Sequence, residues 1–296
     1  MRKIIYSLIS IGVFAACAKE KVSAPNFEVS TSSLTYKAGD SVKFRISGNP
    51  DNLMFYSGEQ GHKYEFRKRD SADNDLQIEF KSLVQFGLIY QNLQVLVSND
   101  FNGKADTPSV KAATWTDISS KATFSTGKDS VSSGIISLKP YVNAQKPSSL
   151  IYVAFRYTDY KKAQGQNRWV IRTFSANNIA PDGTVTPMAV MSTGGWQQVN
   201  FKNTAFVWSL SAAQLLMPSS TATADDNEDW AISKGFDPTY IKQDVGTALK
   251  NISTVLPEYG YVFTQPGTYK VVFEGSSVRY NGEQRTTREV TLTITP

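Results

Sequence analysis

The chain has 296 residues, of which 41% are hydrophobic and 19% are charged, and its formal net charge is +5. This composition is typical of a globular protein and excludes an intrinsically disordered chain. The basic residues are scattered, and Arg67, Lys68 and Arg69 are their densest cluster, so nothing predicts nucleic acid as a partner.

The N-terminus has the pattern of a bacterial export signal. Two basic residues precede a mostly apolar run at residues 4–14. This run is shorter than the ~20 residues that a membrane-spanning helix needs, and it has the length of a signal-peptide core. We therefore predict a signal peptide over residues 1–16. Loss of its two basic residues leaves 29 basic and 26 acidic residues, a net charge of +3.

Cys17 is the only cysteine of the chain and follows two alanines. Small residues before a cysteine resemble the lipobox of bacterial prolipoproteins, although Phe14 stands where that motif usually has leucine. The sequence predicts that Cys17 is acylated, that residues 17–26 are a tether, and that the protein is lipid-anchored in the outer membrane at the cell surface. An ordinary signal peptide with an incidental cysteine is the alternative. A single cysteine excludes an intramolecular disulfide.

Alternating hydrophobic residues dominate the rest of the chain. Val42, Phe44 and Ile46 share one face of a predicted strand, because period-two alternation is typical of half-buried strands. Further strands are predicted at residues 76–80, 93–97, 151–157, 169–174, 206–210, 269–273 and 290–294. One helix is predicted over residues 211–217, stopped by Pro218. The predicted fold class is therefore all-β, built from sandwiches.

Two segments near opposite ends of the chain are predicted to form one domain. Residues 257–296 contain Pro266-Gly-Thr-Tyr269, which resembles the closing hairpin of PKD-like (polycystic-kidney-disease-type) domains. Alone, this segment and residues 27–73 would each leave a sheet edge unpaired and an apolar face uncovered. Together they approach the ~100 residues of an immunoglobulin-type sandwich. We predict one domain split around an insertion of residues 74–256, with tandem sandwiches as the alternative.

The predicted insertion resembles the galactose-binding-like jelly rolls of surface proteins. The resemblance rests on Ser98-Asn-Asp-Phe-Asn-Gly103, Trp115-Thr-Asp-Ile118 and Ala154-Phe-Arg-Tyr157. With Phe55-Tyr-Ser-Gly-Glu59 and Asp244-Val-Gly-Thr-Ala-Leu-Lys250, these segments make the chain similar to a family of Bacteroidetes surface lipoproteins catalogued as a domain of unknown function. The resemblance implies an immunoglobulin/PKD-like domain split around a jelly-roll β-sandwich, in a surface lipoprotein of a kind often encoded near glycan-import systems.

Residues suited to catalysis are sparse. His62 is the only histidine, so a Ser–His–acid triad would have to use it, and no Gly-x-Ser-x-Gly elbow is present. Its position after Gly61 predicts a turn instead. Glycoside hydrolysis needs two carboxylates across a cleft, for which Glu59, Glu65 and the acidic run at residues 225–229 are the candidates. That run is predicted to be a solvated loop, and we predict that the protein is not an enzyme and has no catalytic residues.

Few residues are suited to hold a cofactor. One histidine and one acylated cysteine exclude the usual zinc and haem sites, and no cofactor is predicted apart from a structural calcium ion, which the jelly rolls that this chain resembles often hold. Asp100, in a turn after a predicted strand, is the candidate ligand, because calcium binds carboxylate and carbonyl oxygens. An Asx turn without a metal is the alternative.

Aromatic residues provide the candidate ligand contacts. Sugar rings stack on Trp and Tyr, but the same side chains also fill cores, so their positions decide. The tryptophans in predicted strands, which we assign to the core, are Trp115, Trp169 and Trp208. The aromatic residues in predicted loops, which are the ligand-binding candidates, are Trp196, Trp230 and Tyr160. Loops on a rigid sandwich are where recognition usually resides.

These expectations describe a non-catalytic, lipid-anchored envelope protein that binds a polysaccharide or oligosaccharide in support of nutrient capture. Its expected partners are that glycan, the outer membrane through the lipid on Cys17, and an outer-membrane transporter complex. An adhesive or structural surface subunit that binds protein is one alternative, and a glycoside hydrolase is another.

Overall fold

A computed structural model describes residues 21–296 of the chain. The predicted signal peptide of residues 1–16 and the predicted lipidation site Cys17 lie outside the described residues. The described part of the predicted tether, residues 21–26, has no regular secondary structure. Within the described residues, no helix is long and apolar enough to cross a membrane.

The described chain is all-β with several sheets, which confirms the predicted all-β class. Its strands, β1 to β20 in chain order, are Phe27–Thr31, Thr35–Lys37, Ser41–Gly48, Asn52–Tyr56, Asp75–Gln85, Leu93–Ser98, Thr116–Asp117, Val131–Ser132, Ile136–Ser137, Tyr152–Asp159, Arg168–Ile179, Val185–Val190, Gln197–Lys202, Ser209–Leu210, Leu215–Met217, Asn227–Ile232, Thr247–Lys250, Glu258–Val262, Gly267–Arg279 and Gly282–Thr295. One α-helix, α1, spans Thr107–Ala112, and short 3-10 helices lie at Tyr64–Phe66, Ser119–Lys121, Lys139–Tyr141 and Met191–Thr193.

The chain divides into two compact units. The first contains the described residues up to Arg67 together with Asp244–Pro296, and the second is Lys68–Gln243. The junctions lie several residues before the predicted ones at 73/74 and 256/257. Backbone pairing explains the difference, because β17 pairs with β4 in the first unit. In the second unit, Ser71 pairs with Tyr240 in an isolated bridge.

The first unit has two sheets, with strand orders β1-β3-β18 and β17-β4-β19-β20-β2. Its strand pairs are antiparallel except for β2 with β20, which is parallel. Val42 and Phe44 of β3 are buried, as the alternation predicts. The Phe44 ring centroid lies 5.2 Å from that of Phe273 and 5.8 Å from that of Phe55. The segments from the two ends of the chain therefore share one apolar core.

The second unit also has two sheets, with strand orders β13-β16-β10-β6-β7 and β14-β15-β11-β5-β8. A single large core contains residues of both sheets. Phe80 of β5 packs against Phe155 of β10 with their ring centroids 5.0 Å apart. Trp169 and Trp208 are buried in this core, as predicted, and the half-buried Trp115 packs on a smaller cluster.

The predicted helix over residues 211–217 is wrong. Residues 215–217 form β15 and pair with β11, because Leu215 and Met217 both reach the core. Ser211 Oγ donates to Gln214 O, and Gln214 N donates back to Ser211 Oγ, which closes a turn where the helix was expected. The helix that forms instead is α1, and the Asp106 carboxylate caps it by accepting a hydrogen bond from Ser109 N at 2.8 Å.

Candidate functional site

The loops at one end of the second unit form the candidate site. β5 ends there and β11 begins there, since Gln85 pairs with Arg168. The loops at this end, which we call the loop end, are residues 86–92, 125–130, 160–167, 203–208 and 218–226. The chain enters and leaves the unit at its other end, where Asn178, near the far end of β11, donates to Tyr240 O.

Large apolar side chains are exposed at the loop end. Phe86, Leu88 and Ile89 are exposed on the loop between β5 and β6, and the Tyr160 side chain on the loop between β10 and β11 is 53% exposed. The two loops are held together, because Asn167 Nδ2 donates to Leu88 O at 3.2 Å. Exposed apolar side chains on loops that connect rigid strands are typical of a recognition surface.

A buried polar network supports Tyr160 from below. The buried Asp159 carboxylate accepts hydrogen bonds from Tyr160 N at 2.7 Å, from Tyr90 OH at 2.6 Å and from Lys162 Nζ at 2.5 Å. Lys162 Nζ also lies 4.4 Å from the centroid of the Tyr90 ring and 4.7 Å from that of the Tyr160 ring. Burial, with the nearby Asp159 carboxylate, raises the pKa of Tyr90, so its hydroxyl stays a donor. The network fixes the backbone and ring of Tyr160.

Several buried polar atoms at the loop end lack a hydrogen-bond partner. Asn92 Oδ1 accepts from Trp169 Nε1 at 2.7 Å and from Asn167 Nδ2 at 3.1 Å. Asn92 Nδ2, Asn167 Oδ1 and Gln166 Oε1 are buried and make no hydrogen bond within the described chain. Buried polar atoms are nearly always bonded, but unpartnered ones also lie at the opposite end of the unit, where Asn74 Oδ1 and Asn178 Oδ1 are examples, so they do not by themselves mark the loop end.

Backbone strain also collects at this end of the unit. In residues 21–296, the non-glycine residues with positive φ are Phe86 at 61°, Ser130 at 57° and Asn203 at 58°, and all three lie in loop-end loops. A residue held in this region costs on the order of 1–3 kcal/mol. Such strain persists where the surroundings impose it, and binding sites are common examples.

The two tryptophans that were predicted to contact a ligand, Trp196 and Trp230, do not lie in the loops of the loop end. Trp230 is not in a loop, because it belongs to β16 and is only 6% exposed. Its ring packs 5.3 Å from that of Trp115 and 5.8 Å from that of Phe201, measured between centroids. Trp196 does lie in a loop, but at the opposite end of the unit, and its ring is 4.9 Å from that of Phe174. Neither is free to stack on a sugar without loss of packing.

The acidic run at residues 225–229 is only partly the solvated loop that was predicted. Asp225 and Asp226 are exposed, but the following residues form β16 and Asp229 is fully buried. Asn200 Nδ2 donates to Asp229 Oδ1 at 2.9 Å. Burial raises the pKa of Asp229 to about 7, with a smaller contribution from Glu228.

Asp100, the predicted calcium ligand, fixes a turn. Its Oδ1 accepts from Ser98 Oγ at 2.7 Å and from Thr114 N at 2.9 Å. Burial opposes ionisation, but the hydrogen bonds from Ser98 and Thr114 outweigh it and lower the pKa of Asp100. Within the part of the chain that the structure describes, no three His, Cys, Asp or Glu side chains converge to hold a metal ion. A calcium site at Asp100 stays a prediction.

The remaining candidates for catalysis lie in the first unit. His62 is in a turn, as predicted, and its Nδ1 is 2.7 Å from Val245 O. The Glu59 carboxylate accepts from Ser57 Oγ at 2.9 Å and from Tyr261 OH. Glu65 is exposed. These contacts give His62 and Glu59 structural roles.

The first unit also carries a groove of about 660 Å³ on the outer face of its five-stranded sheet. The Glu274 carboxylate at its wall accepts from Tyr64 OH at 2.7 Å and from Arg285 at 2.6 Å. Lys250 Nζ donates to Pro50 O. The charged side chains Glu274, Arg285 and Lys250 of the groove therefore already have hydrogen-bond partners within the unit.

Comparison with known protein families gives one match. A family model described as a domain of unknown function, DUF5017, matches residues 16–196. The chain belongs to this family. The match confirms the resemblance at the level of a domain of unknown function. No curated protein and no solved structure matches the chain. The residues matched to DUF5017 include three loop-end loops, at 86–92, 125–130 and 160–167, and stop before the other two.

Sequence reasoning found Tyr160 in this DUF5017 chain but missed the rest of the loop end. A signal was present, because Phe86-Gly87-Leu88-Ile89 directly follows a long strand and contains three large apolar side chains that do not alternate with polar ones. The contacts of Asp159 with Tyr90 and Lys162 link residues that no local pattern connects.

Proposed function

We propose that the chain is a non-catalytic, lipid-anchored protein of the cell envelope that binds a polysaccharide or oligosaccharide at its loop end. The observation that carries the proposal is the exposed ring of Tyr160, held in place by the Asp159 network. An aromatic ring stacks on the apolar face of a sugar, while neighbouring polar groups bind the hydroxyls of the sugar. The exposed Asp225 and Asp226 lie on a neighbouring loop-end loop, and Lys161 N, next to Tyr160 in the chain, donates to Asp226 Oδ1 at 3.0 Å.

The proposal includes a layout for the whole chain. Acylated Cys17 anchors the protein to the outer membrane, a split immunoglobulin/PKD-like domain serves as a spacer, and an inserted jelly roll presents the loop end. The shared core of the first unit supports the split domain. The bridge between Ser71 and Tyr240 holds both chain connections of the second unit at the end opposite the loop end.

Affinity electrophoresis against a panel of polysaccharides tests this function. We expect at least one glycan to retard the protein, and the Tyr160→Ala variant to bind it at least tenfold more weakly because the stacking face is lost. Tyr240→Ala is the matched control, since Tyr240 is 45% exposed on the same unit at the opposite end. Absence of retardation by any glycan contradicts the function, and unchanged retardation of Tyr160→Ala contradicts the site.

A second candidate function, protein binding, has one specific observation in its favour. Leu88 and Ile89 are exposed aliphatic side chains, which suit a protein interface better than a sugar. If this face binds protein, Leu88→Ser and Ile89→Ser together abolish capture of a membrane-protein partner. That result, with no glycan binding by the unaltered protein, would make the chain an adhesive or structural subunit.

The proposal also separates binding from hydrolysis. We expect no reducing sugar to be released from any glycan that the protein retains. Release that is lost in Glu59→Gln or in Asp226→Asn would replace binding with glycoside hydrolysis.

A further inference from the structure

The hairpin formed by β19 and β20 extends beyond its own sheet. β4 pairs with β19 only as far as Ser276 of β19. Beyond that point, residues 277–284 continue as a two-stranded ribbon. Val278 and Tyr280 are exposed at its tip, and Tyr280, at 88%, is the most exposed large hydrophobic side chain among the described residues. Residues 278–280 are called the hairpin tip.

The hairpin tip is fastened to the first unit. Asp51 Oδ2 accepts a hydrogen bond from Val278 N at 2.8 Å and an ion-paired hydrogen bond from Arg279 Nη1 at 2.6 Å. The tip therefore points in a direction that the sheet sets, and Tyr280 is not a side chain on a loose loop.

The described start of the chain lies against this ribbon. Lys21 and Val22 line a small cleft together with residues 281–284 of the ribbon. A β-carbon built on Gly282 would lie 3.9 Å from Val22 Cγ2, so Val22 is close to the ribbon. Cys17 precedes Lys21 by four residues, so at most ~15 Å of extended chain separates the two α-carbons. An acyl group on Cys17 would therefore enter its membrane close to the hairpin tip.

We propose that the hairpin tip rests in the polar–apolar interface of the membrane that holds acylated Cys17, an inference that depends on the proposed lipid anchor. Tyrosine suits this interface because its ring is apolar and its hydroxyl is polar. Val278 adds apolar surface, and the cation of Lys21 suits lipid phosphates. The acyl chains hold the protein on the membrane, and the tip sets the tilt of the first unit.

A fluorescent label tests the contact in the full-length, acylated protein. Cys17 is the only native cysteine, and acylation consumes its thiol, so Tyr280→Cys provides a single site for an environment-sensitive dye. Leu34→Cys is the matched control. Leu34 is 61% exposed on the same unit, and its carbonyl accepts from Thr293 N, roughly 35 Å along β20 from the tip.

The labelled proteins are reconstituted into phosphatidylcholine–phosphatidylethanolamine vesicles that contain a nitroxide-labelled lipid. We expect at least twofold quenching and a blue shift of the dye at position 280, with neither change at position 34. Equal signals at the two positions would overturn the inference, whether both dyes are quenched or neither is.

The mass of the purified protein and the glycan assay separate this inference from the proposed function. Absence of acyl mass on Cys17 would overturn both the lipid anchor and the membrane contact. An acylated protein whose position 280 stays unquenched overturns the contact alone. Failure to bind any glycan leaves a positive quenching result intact.

Discussion

The carboxyl group of Asp229 lies at the interior of the second unit, where a charge is costly. Oδ1 has one hydrogen bond, from Asn200, and Oδ2 has no partner within the described chain. Burial raises its pKa from the ordinary value of 3.8 to about 7. An acid with a raised folded pKa binds its proton more tightly in the folded state. The free energy of unfolding therefore falls as pH rises from about 4 to about 7, and this contribution is constant above pH 7.

Asp229→Asn should remove that pH dependence. We expect the variant to be more stable than the unaltered protein at pH 8, by up to about 4 kcal/mol, because no carboxylate has to be buried. The advantage shrinks toward pH 4. Urea denaturation at several pH values between 4 and 8 measures it, with Asp226→Asn on the exposed loop as the control. Parallel pH profiles for the variant and the unaltered protein would contradict the role given to Asp229.

At the scale of elements, the loop between β10 and β11 depends on the absence of a side chain at Gly165. Gly165 has φ of 72°, and a β-carbon there would lie 2.3 Å from Ser220 O. This loop therefore lies directly against the loop between β15 and β16, backbone to backbone. The close approach holds Tyr160 and the acidic residues at 225–226 in one surface.

Gly165→Ala should separate these two loops. We expect a loss of roughly 2–4 kcal/mol in the free energy of unfolding, because backbone must move as well as adopt an unfavourable φ. Glycan retardation should fall with it. Gly134→Ala is the control, since Gly134 has φ of 74° and nothing lies within 4 Å of its β-carbon position. The Gly134→Ala substitution should lower the free energy of unfolding by only about 1 kcal/mol. Equal losses in denaturation experiments would show that the contact with Ser220 is unimportant.

The strands that the sequence predicts well are those with one face in a core. β3 alternates because Val42 and Phe44 meet the core while Lys43 and Arg45 meet solvent. β16 lacks this signal, since Trp230, Ala231 and Ile232 are buried on both faces. The helix α1 is too short for helical periodicity, but Asp106 and Pro108 are a readable start signal.

The candidate site was less predictable than the fold. Tyr160 could be found because it follows the end of a clear strand. Phe86 and Ile89 are missed despite the signal in their segment, since large apolar residues are normally assigned to the core. Trp230 was assigned to a loop because of its acidic neighbours, and only the pairing of β16 with β10 and β13 shows that it is buried.

At the scale of the whole molecule, the two units differ in how their chains are organised. The second unit is continuous and has its own core, so residues 68–243 produced alone should fold. We expect cooperative unfolding and retained glycan retardation. Residues 21–67 alone should stay unfolded, because Phe44 and Phe55 lose their contacts with Phe273. Circular dichroism and amide chemical-shift dispersion check both; a folded 21–67 fragment would contradict the shared core.

The pairing of the first unit's two ends imposes an order on biosynthesis. β3 and β4 lie near the start of the chain, and β19, which pairs with β4, follows about 200 residues later. Contacts so distant in sequence close late, so the second unit can finish folding while Phe44 and Phe55 still lack their cover. A transcript with a premature stop before β19 would then yield a folded second unit attached to an unfolded N-terminal segment with exposed apolar side chains. Proteases that degrade such unfolded segments would distinguish finished molecules from unfinished ones.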